Sequence, residues 1–196
     1  MARKWCSSLR SNRATDGLTP RVWRGCRRWL LVALVVVLGG CTGLPDGVRP
    51  VQGFDADRYL GTWYEIARLD HPFERGLTRV TATYSARDDG GIDVINRGYD
   101  AASGEWKEAQ GKAYFVDVPD VGHLKVSFFG PFYGSYAVFE LERDHYGYAF
   151  VSGYDTDYLW LLAREPAVSD TVLARFKETA SGLGFDTNAL ILVAHD

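Results

Sequence analysis

From residue 62 onward the chain repeats one pattern, short runs of alternating apolar and polar side chains separated by turn residues. The alternation is clearest where Val80, Ala82 and Tyr84 interleave with Arg79, Thr81 and Thr83. A period of two belongs to a half-buried strand, because successive side chains leave opposite faces. The pattern predicts eight strands, over 62–69, 78–87, 92–100, 105–116, 123–128, 135–143, 148–154 and 158–164. Asp88-Asp89-Gly90-Gly91 marks the sharpest hairpin, where the chain needs positive φ. Short strands at this spacing predict an antiparallel sandwich or barrel. Eight is also the number at which a closed barrel just holds one small ligand.

The period then changes. Pro166 ends the last run, Ser169 can cap, and Val172, Leu173, Phe176, Ala180 and Leu183 recur at helical spacing. Gly182 or Gly184 would close this helix, and 190–194 reads as a final edge strand. Tyr158-Leu159-Trp160-Leu161-Leu162 is apolar on both faces. Such a strand is covered outside, here by the predicted helix, and borders a core or cavity inside.

Ahead of the strands, Trp29 to Leu38 is an uncharged apolar run preceded by Arg27-Arg28. It is about half the ~20 residues a spanning helix needs, and so reads as a secretory signal. The long basic stretch before it fits a translation start near Val22. Leu38-Gly39-Gly40-Cys41 resembles the lipobox of bacterial lipoproteins, in which the cysteine is lipidated and becomes the first mature residue. That resemblance implies a lipoprotein signal peptide over 1–40, a lipidated Cys41 with a Gly/Pro-rich tether over 41–53, and a domain over 54–196. Thr42 rather than Asp after the cysteine implies the outer membrane, on its periplasmic face.

The leader changes the charge balance. The whole chain carries 22 Lys+Arg against 25 Asp+Glu, a net charge of −3. Eight of those bases and one acid lie in the first 40 residues, leaving 14 against 24, or −10. An acidic body of this kind is a poor match for phosphate backbones, so no nucleic-acid partner is expected. Cys6 and Cys26 leave with the leader and Cys41 goes to the lipid. The mature domain then has no disulfide, no thiolate metal site and no cysteine nucleophile.

Gly61-Thr62-Trp63 resembles the Gly-x-Trp signature of lipocalins, and Leu161-Leu162-Ala163-Arg164 ends the last barrel strand where that family carries an arginine over the tryptophan. The stretches ARLDHPFERGL, ATYSARDDGG, NRGYD, GKAYFV, LKVSFFGPFYG and DYLWLLAR are similar to the bacterial, lipid-anchored outer-membrane branch of the family. The resemblance covers about 54–194. Arg143-Asp144-His145-Tyr146 departs from the family's Thr-Asp-Tyr turn, which puts any partner role of that turn in question. The resemblance implies an all-β fold, an eight-stranded antiparallel up-and-down barrel with one helix packed outside. It makes Gly61, Trp63 and Arg164 structural, with the guanidinium closing the barrel floor.

The resemblance also sets the phase of each strand. Trp63, Glu65 and Ala67 would face inward, with Val80, Ala82, Tyr84, Val94, Asn96, Ala113, Phe115, Val126, Phe128, Tyr136, Val138, Trp160 and Leu162. Loops 70–77, 100–105, 129–135 and 154–158 would ring the mouth and present His71, Phe73, Phe132, Tyr133 and Tyr154. The implied function is binding of a fatty acid or lysophospholipid without a cofactor, for transport or storage.

Two other classes stay open. Glu65 and Glu140 both fall on the inward phase, and paired carboxylates can do acid/base work, but no nucleophile accompanies them. The loop 128–134 is rich enough in aromatics to be a pocket mouth, a membrane-facing rim or a homodimer interface around a filled barrel. The four histidines are scattered, with no helical pair, so no metal site is expected.

Overall fold

The computed structural model describes residues 42–195; the leader and Cys41 lie outside the described residues. Strands β1 (Gly61–Arg68), β2 (Leu77–Ala86), β3 (Ile92–Asp100), β4 (Glu105–Phe115), β5 (His123–Phe129), β6 (Phe132–Leu141), β7 (Tyr148–Ser152) and β8 (Leu159–Ala163) follow in order. Each pairs antiparallel with the next, and β1 pairs with both β2 and β8, which closes the barrel. The two-residue strand β9 (Ile191–Leu192) adds to the edge of β1 at Ala67 and Arg68. The predicted eight strands, barrel and edge strand are all present.

The outside is covered as the doubly apolar eighth strand required. Helix α2 (Asp170–Gly182) is capped by Ser169, whose side chain accepts from the Val172 amide. Gly184 takes the positive φ, +87°, just beyond it. Phe176 and Ala180 of α2 pack with Ala67, Ala137, Phe150, Leu159, Leu161 and Ala163. The three alanines leave room for the helix to sit close to the sheet.

The floor is built by the residues before β1. Helix α1 (Ala56–Tyr59) is a single turn capped by Asp55, and it buries Tyr59. The Tyr59 ring lies 5.0 Å from Phe54 and 4.6 Å from Trp63, whose Nε1 donates to the Tyr59 carbonyl at 2.8 Å. The departing turn Arg143-Asp144-His145-Tyr146 clamps this floor. Arg143 Nη1 donates to Gly53 O, Arg58 Nη2 donates to Asp144 O, and the Tyr146 hydroxyl accepts from the Asp55 amide.

Two corrections concern the ends and phases of elements. The expected tether is not free along its length. Val48 is buried, the Val51 amide donates to Val138 O, and the Gly122 amide donates to Val51 O. Register shifts interrupt four of the ladders, and two of them overturn the expected phase. A β-bulge between Glu65 and Ala67 puts Ala67 outside, under α2, and turns Arg68 inward. A second bulge between Val138 and Glu140 puts Glu140 outside, 2.6 Å from Arg175 of α2. One extra residue opposite one partner inverts the faces beyond it, which strict alternation cannot anticipate. Residues 42–195 belong to one compact unit with a core on each face of its sheet, the condition for a domain that folds alone.

Candidate functional site

The barrel interior divides into two lobes. The inner lobe, about 270 Å³, is lined by Val80, Ala82, Val94, Asn96, Val126, Phe128, Tyr136, Trp160 and Leu162 among the expected residues. The outer lobe, about 470 Å³, shares Val80, Asn96 and Phe128 and reaches Arg97, Lys107, Phe129 and Phe132 at the mouth. Ala113, Phe115 and Val138 do face inward, but they pack into the core with Phe54, Trp63 and Tyr146 and line neither lobe. The interior is thus part filled and part hollow. Phe73 and Tyr154 line the inner lobe and Phe132 the outer. Tyr133 lines neither and stands beside Lys125, 5.5 Å from ring centroid to Nζ.

Below the lobes the floor is locked by cation and carbonyls together. The Arg164 guanidinium lies 4.0 Å over the Trp63 ring and donates to the carbonyls of Arg58, Leu60 and Thr62. Such a contact contributes ~1–2 kcal/mol when water is excluded, and the three hydrogen bonds fix the guanidinium plane. Burial pulls the Arg164 pKa down, and nearby Tyr59 opposes that. Above it the Tyr136 hydroxyl joins those of Tyr59 and Tyr84, at 2.7 and 2.9 Å. Burial raises the pKa of all three tyrosines, so they stay neutral.

One constellation was missed by strict alternation. Glu65, Arg68, His71 and Glu74 are all buried, between the β1 bulge and the loop over it. Arg68 Nη1 donates to Glu65 Oε1 at 2.7 Å, and Nη2 donates to the carbonyls of Glu74 and Leu77. Trp160 Nε1 donates to Glu74 Oε2 at 3.2 Å, and His71 Nε2 lies at 3.2 Å from the same oxygen. The Glu65 and Glu74 carboxyls are close enough for each to shift the other's titration. Burial raises both carboxyls, Glu65 most, and Glu74 adds to the rise at Glu65 while Arg68 opposes it. Burial and then Arg68 push His71 down to about 4, so its ring is neutral. With one guanidinium beside two carboxyls, the cluster is neutral when the pair holds one proton.

His71 therefore does not face the mouth as expected; it stacks on Phe73 at 4.0 Å and lies 5.1 Å from Trp160. The acid/base pairing of Glu65 with Glu140 does not form, because the two lie on opposite faces of the sheet. The signal for Arg68 was present but inverted. Glu65 and Arg68, three apart, point to opposite faces of a regular strand and meet only across a bulge. Glu74 lines the lumen from a loop, where no period marks it, and Tyr158 lines it from the position just before β8.

Comparison with known proteins agrees with this architecture. The family model described as a lipocalin-like domain matches residues 54–195. The outer membrane lipoprotein Blc of Vibrio cholerae serotype O1 is 60% identical over 167 residues, 85% of this chain and 98% of the relative. Blc of Escherichia coli K12 is 55% identical over 161 residues, 82% and 90% of the two chains. Mouse apolipoprotein D is 31% identical over 70% of this chain and 75% of its own. Insecticyanin from the tobacco hornworm Manduca sexta matches in fold, with a TM-score of 0.61 at 22% identity, covering 79% of this chain and 87% of its own. A closed eight-stranded barrel, a Trp63 floor under Arg164, and relatives at this identity together place the chain in the lipocalin family, in its bacterial branch.

Proposed function

We propose that this protein holds a single-chain amphiphile of the fatty acid or lysophospholipid type in its barrel while anchored to the outer membrane through acylated Cys41. Lipocalins bind small lipophilic ligands, and the finer reading rests on one observation. The two lobes make an apolar space, open at the mouth, above a floor that is sealed. Each methylene entering it contributes ~0.8 kcal/mol, and the ordering of chain and protein offsets part of that. The polar groups facing that space are few, which suits one head group and a chain.

Anchoring is supported by the lipobox-like Leu38-Gly39-Gly40-Cys41 and by relatives named outer membrane lipoproteins. Native mass spectrometry of the domain purified from cells should show a mass increment of one single-chain lipid, lost on delipidation and restored by a single equivalent. A domain that neither carries nor takes up such a lipid would sink the reading. In cells, Cys41→Ser should move the protein from the outer-membrane to the soluble periplasmic fraction. A variant still pelleting with the outer membrane would overturn the anchor.

A further inference from the structure

The hydrogen-bonding and charged groups of the inner lobe are not those that suit every amphiphile. Its lining includes two acidic side chains, Glu65 and Glu74, and no Lys, Arg or His. Arg68 lies behind them with its two terminal nitrogens committed to Glu65 and to two carbonyls. The Oδ1 atom of Asn96, which lines both lobes, is buried and accepts no hydrogen bond. The rings of Phe73, Tyr158 and Trp160 complete the same wall, with Phe73 6.4 Å and Trp160 6.2 Å from Tyr158. Carboxylates, an amide oxygen and aromatic rings all attract a cation, whereas a free carboxylate here finds no cation that is not already paired.

We propose that the inner lobe seats an ammonium head group against Glu65 and Glu74, among the rings of Phe73, Tyr158 and Trp160. The ligand is then an amine-bearing single-chain amphiphile and not a free fatty acid. This rests on the barrel binding an amphiphile at all. It deepens that reading by choosing the head group. The exchange balances in charge: one proton shared by the two carboxyls leaves to solvent as one R–NH₃⁺ enters. Arg68, His71 and Tyr84 are the other ionisable groups facing the acid pair, and His71 and Tyr84 stay neutral throughout.

The test is titration calorimetry of the soluble domain with dodecylamine, dodecanol and dodecanoate at pH 7, repeated in buffers of different ionisation enthalpy. Dodecylamine should bind about tenfold more tightly than dodecanol, the gain expected from a desolvated cation on acids and aromatic rings. It should also release close to one proton, while dodecanol releases none. Glu65→Gln removes the exchangeable proton, so the amine-to-alcohol ratio should fall toward one and the linked release should vanish. Glu140→Gln, on the outer face, should leave the ratio unchanged. Dodecanoate binding as well as dodecylamine, or amine binding without proton release, would overturn the head-group assignment. Failure of all three probes would instead defeat the amphiphile reading on which it rests.

Discussion

At the scale of single residues, the floor shows how little freedom the signature motif has. Gly61 sits at φ +93°, where a side chain is strained, and a Cβ added there would lie 3.3 Å from Arg164 Nη1. The glycine therefore keeps the guanidinium flat on Trp63 as well as allowing the backbone its turn. Gly61→Ala should cost roughly 1–2 kcal/mol from the backbone term, with more if Arg164 is displaced. Urea unfolding of the variant checks this, and an unchanged midpoint would show that the close approach is idle. These three residues were legible because they form a short motif with one physical purpose. Arg68 was not, since its inward direction depends on a bulge and not on its own chemistry.

At the scale of elements, alternation located the strands because most have one face in a core and one in solvent or under α2. It failed where backbone hydrogen bonds, not side-chain pattern, hold the chain, as at Val51 against Val138 and Gly122. It failed also past the bulges in β1 and β6, which is why Ala67 and Glu140 lie outside. The loop between β1 and β2 is the consequential case, because it buries His71 and Glu74 over the lumen. His71, held near 4 against an ordinary 6.5, stays unprotonated while the unfolded chain takes up a proton as pH falls through that window. Its contribution is thus present above pH 6.5 and is lost toward pH 4. The Glu65–Glu74 pair acts oppositely: its raised carboxyls favour the folded state at low pH, and that advantage fades as pH rises above about 4.5. The two slopes offset each other between pH 4.5 and 6.5. His71→Gln should leave the acid pair's slope alone, so stability should fall with rising pH by up to ~1.4 kcal/mol per unit relative to wild type. Urea midpoints across that window decide it, and parallel curves for the two proteins would refute the assignment.

At the scale of the whole molecule, charge and aromatic exposure divide the work of reaching a membrane. Residues 41–196 carry a net −10, so anionic head groups repel the domain and do not draw it in. Its open end, by contrast, presents Phe129 at 79%, Phe132 at 71%, Phe73 at 56% and Trp106 at 45% exposure. Phe73, Phe129 and Phe132 also line the lobes, so the rim is continuous with the ligand space. In the anchored arrangement proposed above, a chain leaving a bilayer would cross this rim without passing through water, with an acyl group on Cys41 holding the domain near the surface. Replacing both tips, Phe129→Ser with Phe132→Ser, removes apolar contact at the mouth while the inner lobe stays intact. Transfer of a fluorescent lysolipid from vesicles to the variant should slow about tenfold, the equivalent of ~1.4 kcal/mol of lost rim contact. Equilibrium affinity for the same probe presented as monomer should hold. Because the contact is apolar, the wild-type transfer rate from zwitterionic vesicles should change little between low and high salt. A rate that rises steeply with salt would mean that repulsion by the acidic body, not rim contact, controls transfer, and equal rates for variant and wild type would remove the rim from the route altogether.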